Sequence, residues 1–447
     1  MKVKKILLKK AINFNPKESL IKGDLHKKIP MGNLKEFQKK INGFEIEEFK
    51  AGPKFRNEDV LVAKITPCLE NGKTAYVDIL NEGEVAFGSS EFIVLRSTKL
   101  TDPHYVYYLS ISPTFRKRAI SCMEGTSGRQ RVNENTLKNF ELPFPDVNYQ
   151  KQIAKVLSDL DAKIEVNNQI NAKLEAMAKS LYEYWFVQFD FPSPPTPEGG
   201  AIQGKPYKSS GGKMVYNDEL KREIPEGWEV KSLGDVLDFQ RGISYRSSEI
   251  KDKEGVPLIN LNSFNLDGRY KNKGLKKYSG KYNKSKIVKA NDLIIAITDV
   301  TRNADIIGKS FFVPEIFDDR DLLISCDTAK VEVNNQDLLY FLNFFFNSKP
   351  YHEYIKHFAS GTLVLHLNLK GVEWCKIALP DDKLLFQFTN KIKPILKRID
   401  NTILENQKLA DLRDWLLPML MNGQVSVGDA MEYQSSGDSE LGVVAED

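Results

Sequence analysis

Gln150–Phe189, QKQIAKVLSDLDAKIEVNNQINAKLEAMAKSLYEYWFVQF, reads as one long helix. Ile153, Leu157, Leu160, Ile164, Asn167, Asn171, Leu174, Ala178, Leu181 and Trp185 recur at alternating three- and four-residue steps. That stripe marks a helix packed lengthwise on another helix. Two Asn interrupt the apolar seam, and a buried seam Asn trades stability for register. The same phase returns near the C-terminus in Phe388, Ile392, Ile395, Ile399, Thr402, Asn406, Leu409, Arg413, Leu416 and Leu420. Asn171 recurs as Asn406, 235 positions on, and both Asn are candidates for setting the register of a helix pair. A period this long signals a duplicated domain-plus-helix unit rather than a solenoid.

The domains ahead of the helices repeat too. Leu142-Pro143-Phe144-Pro145-Asp146 precedes the first helix and Leu379-Pro380-Asp381 the second, each Pro being expected to stop a strand. Val256–Leu261 echoes Ile29–Leu34, and Asp292–Ala296 echoes Asp59–Ala63. Short β-branched runs at Val60–Ala63 and Phe92–Leu95 predict strands. The aromatic segments Tyr105–Ile120 and Asp337–Phe358 predict helix. Each half is therefore α+β. Between them, residues 191–223 are rich in Pro, Gly and Ser and read as a linker without a core of its own. A run resembling a phosphate loop, Gly199–Pro206, lacks a preceding strand and has Pro206 where a magnesium-binding hydroxyl belongs, so nucleotide binding is not expected there.

Composition narrows the function classes. With 447 residues, 41% of them hydrophobic, and a mean hydropathy of −0.39, the chain has the length for two or three domains and the balance of a soluble protein. It has no apolar run long enough to cross a membrane, and the basic start MKVKKILLKK lacks the apolar core of a signal peptide. Cys68, Cys122, Cys326 and Cys375 lack metal-ligand spacing and read as reduced thiols of a cytoplasmic protein. Net charge is +4, but residues 425–447 hold six acids and no base, which leaves +10 on the rest. A basic body is compatible with a nucleic-acid partner without requiring one.

The order of domain, LPxP, long helix, Pro/Gly linker, domain, LP and long helix resembles the specificity (S) subunit of type I restriction–modification systems over nearly the whole chain. Stretches similar to that family are Ile224-Pro225-Glu226-Gly227-Trp228, Lys208–Val215, Trp185–Phe189, Ile297-Thr298-Asp299-Val300-Thr301 and Leu412–Pro418. Three features depart from its pattern. Pro394 should kink the second helix or delay its start, the first domain lacks the IPxGW opening, and the acidic tail falls outside the pattern and is expected to be disordered. The resemblance implies an α+β chain of two tandem pseudo-symmetric target-recognition domains, each followed by a long helix, the helices packed as an antiparallel coiled coil. The implied domains are 1–145 and 224–380, the helices 146–190 and 381–425, the linker 191–223 and the tail 426–447. The implied partners are double-stranded DNA carrying a bipartite site, two modification (methyltransferase) subunits and restriction (nuclease/translocase) subunits, with no cofactor and no catalytic residues. A helix of about 40 residues spans about 60 Å, enough to separate two readers by about one 34 Å turn of DNA.

The candidate DNA-contacting residues are polar and basic ones in loops that differ between the halves. In the first half they are Lys64, Lys73, Ser89, Ser90, Ser127, Arg129, Gln130 and Arg131. In the second they are Arg241, Tyr245, Arg246, Thr301, Arg302, Asn303, Thr362 and His366. Arg pairs with guanine edges and Gln with adenine, whereas Ser and Lys more often hold phosphates. The alternative for each is a solvated loop side chain. The five His form no ligand pattern, and the acids around Arg320 read as a polar turn, not a metal site. Two other readings stay open: a coiled-coil scaffold that binds only protein, and a self-sufficient metal-dependent nuclease.

Overall fold

The computed structural model describes residues 3–126, 128–193, 204–251, 254–271, 274–317 and 320–436. The chain divides into two compact units, Met1–Asn167 with Glu405–Asp447, and Asn168–Leu404.

In the first unit a four-stranded antiparallel sheet has the order Ile12–Phe14, Phe92–Ser97, Val60–Ala63, Thr74–Tyr76. Its central strands are buried on both faces, which is why they read as unbroken apolar runs. Alternation along the strand sorts their side chains between two cores. Val60, Val62, Ile93 and Leu95 join the large helical core, while Leu61, Phe92 and Val94 join a smaller one with Ile29 and Phe55. A second sheet closes that smaller core in the order Glu45–Glu48, Leu25–Ile29, Ala86–Gly88, Lys54–Phe55, with Ile29 parallel to Gly88. The aromatic segment forms two helices, Pro103–Ile111 and Pro113–Ser121. Ser112 ends one and caps the next, accepting from the Phe115 N–H, and Pro113 takes the first helical position where no donor is needed.

The second unit repeats this topology. Leu237–Arg241, Thr328–Val333, Leu293–Ala296 and Ser310–Phe312 form its four-stranded sheet in the same order. Leu293 and Ile295 enter the large core, Ile294 and Ala296 the smaller. The second sheet keeps its one parallel pair, Ile259 with Ile324, and gains an edge strand, Ile250–Lys251. Each half also starts and ends on a two-stranded ribbon. Val3–Leu7 pairs with Glu141–Pro145 in one, Glu229–Ser232 with Lys376–Leu379 in the other. The first half thus achieves its opening without the IPxGW sequence. The first ribbon runs on through Pro143 to Pro145, which a two-stranded ribbon tolerates because each strand is an edge.

The first long helix spans Val147–Tyr182 and ends in a π-turn, Glu183–Val187. The second spans Asp382–Asn422. Pro394 does not delay its start. Pro394 and Asn390, whose carbonyl loses its partner, are both exposed, so water can take the place of the missing bond. Every seam position named above is buried or half-buried. Neither helix is a bare spacer beside its domain. Ile153, Leu157, Leu160, Leu416 and Leu420 belong to the core of the first unit. Ala178, Tyr182, Trp185, Phe388 and Ile392 belong to that of the second.

Two further features differ from the sequence reading. Val427–Ser436 is a helix, with Val427 and Ala430 buried in the first unit's core, so this part of the acidic tail is ordered by its few apolar side chains. Residues 437–447 lie outside the described residues. The described part of the linker packs onto the second unit: Phe191 stacks on Tyr207 and Trp228, Asp190 accepts from the Ser209 N–H and hydroxyl, and Met214–Asn217 pairs with Arg222–Pro225. Positions 199–203 of the phosphate-loop-like run, and Asp318 and Asp319, lie outside the described residues.

Candidate nucleic-acid interface

In the first unit three chain segments converge at one end of the central strands. Lys64 donates its N–H to the Glu91 carbonyl and accepts from the Val132 N–H; Thr66 N–H donates to the Gln130 carbonyl; Ile65 bridges Arg131. Lys64, Gln130 and Arg131 are thereby brought together with the turn that holds Ser89, Ser90 and Glu91. Ser89 is pinned by its N–H on the Ile29 carbonyl, and its hydroxyl accepts from the Glu91 N–H. Lys73 leads into the neighbouring strand at this same end, its carbonyl accepting from the Ala63 N–H at 3.1 Å and its Nζ 3.5 Å from the Met31 carbonyl. Ser90 and Arg129 are exposed. Ser127 lies outside the described residues.

Arg131 is the most constrained of these. Its Nε and Nη2 hold the Glu91 carboxylate at 2.8–3.1 Å in a two-pronged pair, and the half-exposed guanidinium keeps donor capacity toward solvent. The Arg131 hydrogen bonds hold the Glu91 carboxyl below the usual carboxylate range. Glu91 was not among the candidates. A lone loop acid gives no sequence signal that it aims an arginine 40 residues away.

In the second unit the equivalent ladder sets Thr298 opposite His366 and Asp299 opposite Leu365, with Ser360 on the far side of His366. Asp299 is fully buried and accepts from the N–H groups of Thr301, Ile306 and Ile307 at 2.6–2.9 Å. It holds the loop that exposes Arg302 and Asn303, and the Thr301 hydroxyl accepts from the Asp305 N–H. Thr298 donates to Asp327, which neighbours Thr328, and the Thr328 carbonyl takes the Gly242 N–H. That link brings Arg241 to the same end. A Cβ at Gly242 would lie 2.2 Å from the Ile324 carbonyl, so only glycine permits the approach. Thr362 and His366 are exposed at the hairpin. Tyr245 and Arg246 sit apart, beside the added edge strand. Tyr245 carries Lys276 on its hydroxyl at 3.1 Å and over its ring at 5.3 Å, and the Arg246 N–H donates to Glu249.

Lys276 and Lys286, whose Nζ bonds the Arg241 carbonyl at 2.8 Å, were also missed, although a signal was present. Residues 241–289 hold 13 Lys and Arg against four acids, whereas the equivalent 14–54 holds nine against six. Whole-chain charge hides that excess. Among the described residues no group of three or more His, Cys, Asp and Glu is placed to hold a metal, and no helix is long and apolar enough to cross a membrane.

Of the expected register residues, Asn406 accepts from Asn167 Nδ2 at 2.9 Å, and Asn167 also donates to Glu405. Asn171 is buried with its Oδ1 unpartnered. Going from 161 to 167 on one helix, the partner on the other steps back from 413 to 406: Asp161 binds Arg413 at 2.8 Å. Homologous positions on segments that run in opposite senses need not face each other, so the Asn that meets Asn406 is one turn from its sequence counterpart.

The model of the type I restriction modification DNA specificity domain matches residues 2–176 and 225–413. The MjaIX specificity subunit of Methanocaldococcus jannaschii is 27% identical over 333 residues, 72% of this chain and 69% of that one. The HindI specificity subunit of Haemophilus influenzae is 23% identical over 427 residues, 82% of this chain and 86% of that one. A solved type I restriction–modification S subunit from M. genitalium shares the fold, with a TM-score of 0.53 at 16% identity over 94% of this chain and 96% of its own.

Proposed function

This chain belongs to the type I restriction–modification DNA specificity family, and from that premise we propose that it is the noncatalytic subunit that gives such a complex its DNA sequence. Residues 1–145 and 224–380 act as two recognition domains, each reading one half of a bipartite site in double-stranded DNA. The observation that carries this is the duplication itself: two matched domains share strand order and ladder register yet present different side chains from the same loops. A shared scaffold with divergent readers is what one molecule needs to read two unlike half-sites.

In this reading the convergent loops contact DNA, with Lys64, Ser89, Ser90, Gln130 and Arg131 in one half and Arg241, Thr301, Arg302, Asn303, Thr362 and His366 in the other. Arg129 and Ser127 belong to the first reading loop, and Lys73, Tyr245 and Arg246 hold flanking phosphate. The long helices, 146–190 and 381–425, form an antiparallel coiled coil that spaces the half-sites and docks the methyltransferase subunits, which nuclease/translocase subunits join. Support comes from opposed contacts inside each unit, Asp161 with Arg413 and Asn167 with Asn406 in the first, Tyr182 and Trp185 with Phe388 in the second.

Long-read methylation profiling of cells carrying this chain with its modification subunit is the test. A bipartite adenine-methylated motif that depends on this chain is expected. An active modification subunit without such a motif overturns the reading. The scaffold alternative predicts no binding to DNA, whereas a specificity subunit binds with an affinity that falls steeply as salt rises.

A further inference from the structure

The two reading hairpins differ in one chemical respect. Between the paired residues Glu124 and Arg131 the first hairpin carries Gly125-Thr126-Ser127-Gly128-Arg129-Gln130. Between Ser360 and His366 the second carries Gly361-Thr362-Leu363-Val364-Leu365. The ladders are equivalent, Ile65 opposite Arg131 and Thr298 opposite His366. Val300 follows Asp299, the last residue paired on its strand, and Val364 precedes that residue's partner, Leu365. Gly361 has φ +139, and a Cβ there would lie 2.0 Å from the Val364 carbonyl, so the second hairpin is a tight turn that only glycine allows. That turn leaves Leu363 88% exposed, the most exposed large apolar side chain among the described residues; Val300 is 61% exposed and Val364 38%. Folding gains almost nothing from Leu363 in water, and counting back from the equivalent pair Arg131 and His366, Val364 takes the position of Arg129 and Leu365 that of Gln130.

The surroundings indicate what they meet. Thr362, His366, Arg302 and Asn303 are exposed around them, and the same unit carries the Lys- and Arg-rich segment 241–289. A rim of hydrogen-bonding side chains that includes one arginine, around a small apolar tip, matches the major-groove edge of a duplex, whose one apolar feature is the thymine 5-methyl group. We propose that Leu363, with Val300 and Val364, reads thymine methyl groups in the half-site of the second recognition domain, where the first domain reads by hydrogen bonding from Arg131 and Gln130. This rests on the specificity reading above and names the base feature that one hairpin recognises.

The experiment uses the full chain assembled with its modification subunit and the motif found by methylation profiling. In synthetic duplexes each thymine of the motif is replaced by deoxyuridine, which removes only the methyl. At one or two positions, all in one half-site, affinity is expected to fall about fourfold, the weight of one buried methyl. Leu363→Ala should lower affinity for the thymine duplex by a similar factor and abolish the deoxyuridine effect. Leu363 is exposed, so the variant folds normally. A half-site without thymine, unchanged binding at every deoxyuridine position, or a deoxyuridine effect that persists in Leu363→Ala overturns the proposal while the bipartite motif still stands. Loss of modification-subunit assembly in Leu363→Ala, with DNA sensitivity intact, reassigns the tip to a protein contact and also overturns it. Failure to find any bipartite motif overturns the specificity reading instead.

Discussion

The two units are one fold executed in two chemistries. The first joins its long helices to the recognition domain through buried charge. Arg413 binds Asp161 at 2.8 Å with both side chains largely buried, Tyr108 donates to the other Asp161 oxygen at 2.6 Å, and Lys39 donates to Ser158. The second makes the same joint from rings. Tyr182, Trp185, Phe186 and Phe344 surround Phe388 at centroid distances of 4.8–6.4 Å, and Phe341 packs edge-on against Phe186 at 5.0 Å. A charge network enforces one geometry, because a displaced partner leaves an uncompensated ion. An aromatic cluster is held by burial and tolerates small shifts. The proposed reading hairpins diverge in the same spirit, with a carboxylate-braced arginine in the first unit and an exposed apolar tip in the second.

The largest expected effect is at the charged joint. Arg413→Ala strands Asp161 and should cost the first unit about 3–5 kcal/mol. Converting both partners, Asp161→Leu with Arg413→Met, should recover most of it. Denaturant unfolding checks both. In the second unit Phe388→Ala should cost a comparable amount through a cavity, and no second polar change should rescue it. If the double variant in the first unit is no better than Arg413→Ala, the two joints do not differ in kind.

Next come the readers. If Arg131 reads a base as proposed, Arg131→Ala removes that donor and releases the Glu91 charge. It should weaken binding by about 1–3 kcal/mol and relax the methylated motif in one half-site only. Relaxation in both halves would break the assignment of one hairpin to one half-site. Smaller still, replacing Lys276 and Lys286 by Ala should leave the motif unchanged and reduce the slope of log affinity against log salt by about 0.9 for each phosphate that is no longer neutralised.

The smallest concerns a single pair of equivalent carboxylates. Glu165 on the first long helix is met by Lys40 at 2.5 Å. Asp400, 235 positions on, is half-buried, and burial with the nearby Glu315 charge pushes its carboxyl up to about 7. The folded state therefore holds that proton more tightly than the unfolded chain. Asp400 costs nothing below the unfolded value near 4, and its ionisation erodes stability progressively as pH rises toward 7. Asp400→Asn should raise the unfolding free energy of the second unit at pH 8 by about 1–2 kcal/mol after allowance for partial solvation, and leave it unchanged near pH 4. Equal gains at both pH values would place the effect in packing.

The sequence by itself determined the duplication, the α+β class, both long helices and the family resemblance. Seam periodicity and buried apolar runs are properties of successive residues, and they survive in the chain as written. The same locality explains its limits. It read Tyr105–Ile120 as one helical segment, which Ser112 and Pro113 divide. It expected disorder after 426, where Val427 and Ala430 find a core supplied by residues far away in sequence. It matched Asn171 with Asn406 by homology, whereas opposed chain direction gives Asn406 to Asn167. Only the tertiary structure decided that Glu91 braces Arg131, that Asp299 holds the 301–307 loop, and that Leu363 stands exposed at the tip of the second hairpin. Each of these depends on which segments a strand ladder brings side by side, and that pairing is settled by the packing of the whole domain rather than by any period within one segment.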